Sequence, residues 1–249
     1  MVSIITMKKV LILIGILALT WLIWALKDND SSAHYAIITS KISEDNSTDE
    51  YLLDIEYPKL VSNTEAYQFV NDDIAALVAT STVSFVSAVR DTTKYRREHP
   101  IDLPGGTQSN LYIRYRVATG TPEILPVIFM VSEYHAGAAH PNTAVITRNY
   151  DLRAGVIRTL DSLFVSGPSY LEEVALYAKE ELTKKLVADG LPEEAVWLSG
   201  AEPGSDNYTA WFAGADGLHI LFQQYQVAPY AYGIPEVTIP WNKLKSLKQ

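Results

Sequence analysis

The 249-residue chain has no cysteine. That excludes disulfides, a lipidated N-terminal cysteine, a thiolate metal site and a cysteine nucleophile. It also lacks a cationic excess: 20 Lys and Arg stand against 29 Asp and Glu, a formal net charge of −9. A protein that tracks phosphates needs a basic face, so nucleic acid is excluded as a partner. No Gly-rich phosphate loop is visible, and no strand–nucleophile–helix elbow of a hydrolase. No internal repeat of fixed period appears. Long hydrophobic runs are scarce as well, and the chain has one.

That run is Val10–Leu26, preceded by Lys8 and Lys9 and broken only by Thr20. With the apolar residues from Ile4 it can cover a hydrocarbon core of ~30 Å. Trp21 and Trp24 sit at its far end, where aromatic rings favour the interface. Trp24-Ala25-Leu26 is a poor cleavage site, whereas Ser31-Ser32-Ala33 is a weak one, so an uncleaved signal anchor fits better than a cleaved signal. The lysines stay inside by the positive-inside rule, which puts everything after Lys27 outside the membrane, tethered by a single pass. Residues 28–49 are rich in Asp, Asn, Ser and Thr and read as a polar linker, with His34–Ser40 as a first strand or a piece of stalk.

Beyond the linker the expected order is strand, helix, sheet, helix, hairpin. Tyr51–Pro58 alternates as a strand and stops at Pro58. Asn63 or Thr64 can cap a helix from Ala66 to Val89. Its apolar face is Phe69, Ile74, Leu77, Val78, Phe85, Val86 and Val89, and Thr80–Ser84 is a place for a bend. Arg90–Pro100 is the one concentrated basic patch, either a solvated helix end or a contact for an anionic glycan or lipid head group. Ser109–Ala118 alternates strictly. Ile124–Tyr134 is apolar on both faces, which predicts a central strand. Asn142–Leu152 is a third, followed by a helix at Tyr170–Ala188 and a short helix at Pro192–Trp197. A hairpin is expected at Tyr208–Ala213 and Leu218–Gln224 around Asp216-Gly217. The tail from Trp241 reads as a short basic helix. The class this implies is α+β: antiparallel sheets with helices on one face. Two similar subdomains are expected, 50–133 and 134–249, behind the anchor at 1–27.

Two stretches could carry function. His135 and His140 flank a Gly-Ala loop, with Glu133 and Asp151 nearby. Their spacing is not a zinc ligand spacing, and no third histidine is in range, so no metal or cofactor is expected. The bland reading is a tight connection in which His140 bonds to backbone. The other stretch is Gln224–Pro240, QYQVAPYAYGIPEVTIP, the densest run of aromatic and turn residues. Pro229 and Pro235 push the residues before them towards extended backbone, and Gly233 supplies an angle that other residues avoid. Its tyrosines either plug a core or present a binding face. The expected split has Tyr225 continuing a strand and packing inward, with Tyr230 and Tyr232 partly exposed. The candidate binding face is therefore Tyr230, Tyr232, His140, His135 and Tyr134.

VAPYAYGIPEVTIPWNKL resembles the closing segment of the RsiV-type extracellular domain. YHAGAAHPNTAVITRNYDLRAGVIRTLDSLF resembles its Gly-Gly-Ala-His-like loop, its strand ending in Asp and its Leu-Asp-Leu-Phe-like turn. Gly137, His140, Asn149, Asp151, Gly155, Leu160, Asp161 and Phe164 stand where that pattern expects them, while Ala138 replaces one of its glycines. The likeness runs from about Tyr134 to Leu244, nearly half the chain. More weakly, Tyr51–Pro58 and the helix after it resemble the companion PdaC-type module. The resemblance implies a membrane-tethered external module of the bacterial cell envelope that meets lysozyme or peptidoglycan glycan, and no enzyme. About nine residues precede the anchor, too few for a sigma-binding segment, and a deacetylase domain is not visible. Anti-sigma activity and deacetylation are therefore not carried over. The rival reading is an unrecognised cell-wall hydrolase or other envelope enzyme.

Overall fold

The structure is a computed structural model, and it describes residues 35–62, 67–103, 106–121, 123–165 and 169–248. The expected anchor, Val10–Leu26, and the helix caps Asn63 and Thr64 lie outside the described residues. From Ile37 onward the chain forms one compact unit.

Six strands make the large sheet in sequence order: β1 (Ala36–Asn46), β2 (Tyr51–Val61), β3 (Ser109–Val117), β4 (Ile124–Tyr134), β5 (Asn142–Asp151) and β6 (Val156–Ile157). Helix α1 (Gln68–Glu98) runs between β2 and β3. Strands β3, β4, β5 and β6 pair antiparallel, as expected. The β2–β3 pair is parallel, which corrects the expectation of purely antiparallel sheets. A parallel neighbour needs a crossover, and α1 supplies it. Alternation marks a strand but not its direction, so the sequence pattern could not separate the two. Strand β4 lies between β3 and β5 and is buried along most of its length, as its apolar character predicts.

Part of the expected linker is structured. Ser43–Asn46 belongs to β1, an edge strand that is mostly exposed. Its polar composition suits an edge facing water. Helix α1 runs nine residues past the expected end at Val89, to Glu98, without interruption at Thr80–Ser84. Val70, Ile74, Leu77, Val78, Phe85 and Val89 are its buried face, which packs on β2 and β3.

The second sheet is β7 (Trp211–Ala213), β8 (Gly217–Leu221) and β9 (Glu236–Pro240), antiparallel throughout. Helix α2 (Ser169–Ala188) covers one face: Val174, Ala178 and Leu182 pack with Leu218, Ile220 and Ile239. Alternation sends Phe212 and Leu221 to the other face, where they meet Ile128 and Val145 of the large sheet. The layers are thus α1, large sheet, small sheet, α2. Each helix covers one face of its own sheet, and the two sheets share the middle. The tail is a single 3-10 turn, Trp241–Lys243, and not a helix. Beyond it Leu247 bridges to Phe164.

Where the sheets meet edge to edge, side chains replace ladder bonds. Asn149 is buried on β5. Its Nδ2 donates to the Trp211 carbonyl and its Oδ1 accepts from the Ala213 amide, both at 3.0 Å. Thr147 Oγ1 accepts from the Trp211 amide at 3.0 Å. The Gln223 side chain bonds both backbone groups of Val145, and Gln224 accepts from the Thr143 amide. Buried backbone groups need partners, and here amide side chains imitate a strand. Asp151 ends β5 by capping the turn after it: its Oδ1 accepts from the amides of Arg153 and Ala154. Burial pushes its carboxyl up, but those amides and Arg158 outweigh burial and hold it below the usual carboxylate range.

Candidate functional site

The loop from β4 to β5 and the segment after β8 meet at His140. Gly137 turns the loop at φ 90, a region that favours glycine, and a Cβ there would sit 3.0 Å from Leu103 Cδ2. His140 follows, with its ring stacked on Tyr230: the centroids are 3.9 Å apart and the planes 25° off parallel. Its Nδ1 lies 2.9 Å from the Pro141 carbonyl oxygen. A carbonyl only accepts, so Nδ1 carries the proton and donates. In the neutral ring Nε2 is then the acceptor, and the Tyr225 hydroxyl, 3.0 Å away, donates to it. Tyr225 and Tyr230 face each other with centroids 5.7 Å apart.

The expected inward packing of Tyr225 is corrected. Its surface is 50% exposed, and its φ is 64, one of two non-glycine residues in the left-handed region among those described. Strand β8 ends at Leu221, so Tyr225 lies in the turn beyond it. Gln226 fixes this turn through the Gly200 and Asn207 carbonyls, and Gly200 has room for that contact only because it lacks a Cβ. Tyr230 opens the 3-10 turn Tyr230–Tyr232, which starts after Pro229 and ends at Gly233 with φ 65, as its sequence predicts.

Of the five candidate residues, the structure joins His140 and Tyr230. Tyr232 is half-buried against the core under α2. His135 tilts against Phe85 of α1 at 5.5 Å, with its Nε2 3.5 Å from a Glu133 carboxylate oxygen. Glu133 shares a sheet face with Leu111, its register partner, and that is the α1 side. The two histidines thus face different elements. Tyr134 closes β4 opposite Asn110, on the face that also carries Ser132 and Thr143. Tyr225 is the residue that pattern reading missed. The available signal was its place among Gln223, Gln224 and Gln226, which is poor context for a buried strand.

The basic patch is exposed at Arg90, Lys94, Arg97 and His99, but its arginines are engaged within the fold. Arg96 is buried and donates to the Glu50 carboxylate and the Thr107 carbonyl. Arg90 pairs with Asp49 at 2.8 Å, and Arg97 donates to the Thr48 carbonyl. Three arginines of α1 therefore grip the β1–β2 turn.

Comparison with known proteins agrees with this architecture. A DUF3298-family protein of Bacteroides fragilis superposes with a TM-score of 0.66 at 17% identity, covering 88% of this chain and 96% of that one. A DUF3298-family protein of Pseudomonas aeruginosa does so with a TM-score of 0.57 at 18% identity, covering 88% and 97%. At such identities the likeness is one of fold. In sequence, the chain is 25% identical over 162 residues to the peptidoglycan-N-acetylmuramic acid deacetylase PdaC of Bacillus subtilis, 64% of this chain and 34% of that protein. It is 25% identical over 219 residues to the anti-sigma-V factor RsiV of the same organism, 85% of this chain and 70% of that protein. The chain thus spans about a third of PdaC and more than two thirds of RsiV. The expected resemblance stands at the level of the chain: it is similar to RsiV and PdaC, and its residues 161–242, which include the Pro-Tyr-Ala-Tyr-Gly segment, match the family described as protein of unknown function (DUF3298).

Proposed function

We propose that this protein is an extracytoplasmic binding module of the bacterial cell envelope, tethered by Val10–Leu26, whose contact surface is the ledge of Tyr225, His140 and Tyr230. The observation that carries the reading is the exposed Tyr225, held in an unfavourable backbone region with its hydroxyl locked on His140. Strain of this kind costs of order 1–3 kcal/mol and concentrates at sites of function. Rigid tyrosines offer contact area at little entropic cost. A sugar ring suits such a ledge, and the likeness to a peptidoglycan deacetylase favours a peptidoglycan glycan as partner. A second reading, lysozyme, is favoured by the net charge of −9, which complements a cationic protein. The module acts by binding, with no catalytic step assigned to it.

Residues 37–249 incubated with purified peptidoglycan and, separately, with lysozyme test this. Retention on one of them that weakens at least tenfold in Tyr230→Ala and His140→Ala is the expected result. Release of muropeptides would make the protein a hydrolase. Binding that both variants keep in full would move the site elsewhere.

A further inference from the structure

The seam between the two sheets holds His219, on the face of β8 that carries Leu221. Its ring stacks on Phe212 of β7, with centroids 4.2 Å apart and planes 11° off parallel. Its Nε2 lies 2.8 Å from Asp216 Oδ1, on the turn before β8. Its Nδ1 lies 3.0 Å from Glu236 Oε1 and 3.0 Å from Thr238 Oγ1, both on β9. A carboxylate accepts and cannot donate, while a neutral imidazole has a single N–H. Both carboxylate contacts are hydrogen bonds only when the ring is doubly protonated.

The charge continues into the large sheet. Glu236 Oε2 meets an Arg116 nitrogen of β3 at 2.5 Å, and that guanidinium lies over the Phe212 ring, 5.0 Å from its centroid. The charged groups around the ring are thus Asp216 from the turn, Glu236 from β9 and, behind Glu236, Arg116 from β3. Gly214 makes room for the arrangement, since a Cβ there would come within 2.6 Å of Nε2.

We propose that His219 is a proton-operated clasp: as the imidazolium it ties the β7–β8 turn to β9 and, through Glu236 and Arg116, to the large sheet. Loss of one proton leaves an acceptor facing an acceptor and opens one side of the clasp. The clasp does not depend on the binding reading above. Its working range follows from burial and its partners. Burial disfavours the charged ring, but the hydrogen bonds to Glu236 and Asp216 outweigh it and raise His219 above its ordinary value of about 6.5. The folded chain therefore holds this proton more tightly than the unfolded chain. The stabilisation is fully present below the unfolded value and is lost as pH rises through the raised folded value.

Thermal melts of the full chain in detergent, from about pH 5.5 to 8.5, test the clasp across the histidine range. The wild-type midpoint should fall as pH rises, and His219→Gln should remove that fall. The chain's other four histidines are common to both proteins, so the difference between the two isolates His219. Asp216 is 72% exposed, and Asp216→Asn is expected to fold. In that variant, NMR of the imidazole should show His219 titrating at lower pH than in wild type. Parallel pH curves for wild type and His219→Gln would overturn the proposal. So would a His219 ring that titrates at or below its ordinary value, or one that Asp216→Asn leaves unmoved.

Discussion

Tyr225 shows most directly how a single residue can be shaped by something other than stability. A tyrosine in the left-handed region pays about 1–2 kcal/mol that glycine does not. Burial offsets only part of that, because half of its surface stays in water. Among the described residues, its hydroxyl hydrogen-bonds to His140. Tyr225→Gly should therefore leave the unfolding midpoint unchanged or raise it, while partner binding weakens. Tyr225→Ala keeps the strain, and it too should cost less than the ~3–5 kcal/mol of a buried aromatic truncation. Urea titrations of both variants, run beside the peptidoglycan and lysozyme pull-downs, decide the matter. A loss of several kcal/mol in Tyr225→Gly would mean the ring is structural, and the ledge would lose its main support.

At the scale of elements, α1 is where the sequence was most and least legible. Its apolar spacing at Ile74, Leu77, Val78, Phe85 and Val89 identified the buried face, because packing against a sheet selects such a stripe. Its last turns hold one residue that pattern reading could not place, because arginines at a helix end normally face water, as Arg90 and Arg97 do. Here Arg96 is 8% exposed and meets Glu50, which sits at φ 59. A tertiary partner 46 residues away in the chain leaves no local signature. The parallel β2–β3 pair was hidden for the same reason, whereas the antiparallel strands from Ser109 to Asp151 were legible from alternation and turns. Burial pushes the Glu50 carboxyl up, yet its hydrogen bonds to Arg96, Thr107 and Thr93 and the nearby positive charge hold it below the usual range. Arg96→Met should therefore leave an uncompensated carboxylate. The cost should fall at the lower end of ~3–5 kcal/mol, since part of Glu50 reaches solvent. Adding Glu50→Gly removes the stranded charge and relaxes the backbone, so the double variant should recover much of that loss. Chemical denaturation of both variants reads this, and equal losses in single and double would show that the pair is not coupled.

For the molecule as a whole, the question is whether its two sheets fold as one body. The division expected at residues 133 and 134 falls at the end of β4, inside the six-stranded sheet. Beside the apolar contacts of Phe212 and Leu221 and the Arg116–Glu236 pair, four polar side chains join the large sheet to the small one: Thr147, Asn149, Gln223 and Gln224. Asn149 is 2% exposed and serves two backbone groups of β7, one as donor and one as acceptor. No apolar residue can do both. Asn149→Leu would leave the Trp211 carbonyl and the Ala213 amide without this partner in a buried seam, at roughly 1–3 kcal/mol for each group left unpaired. Wild type should unfold in one transition seen alike by tryptophan fluorescence and far-ultraviolet circular dichroism, because Trp211 and Trp241 report on the core between the small sheet and α2, while both sheets contribute to the dichroism. Asn149→Leu should lower the midpoint and pull the two signals apart, with the fluorescence change coming first. Two separate transitions already present in wild type would favour two subdomains that fold independently, and the seam would then be a docking contact between them. Coincident transitions in both proteins, at the same midpoint, would show that Asn149 joins the sheets without holding them.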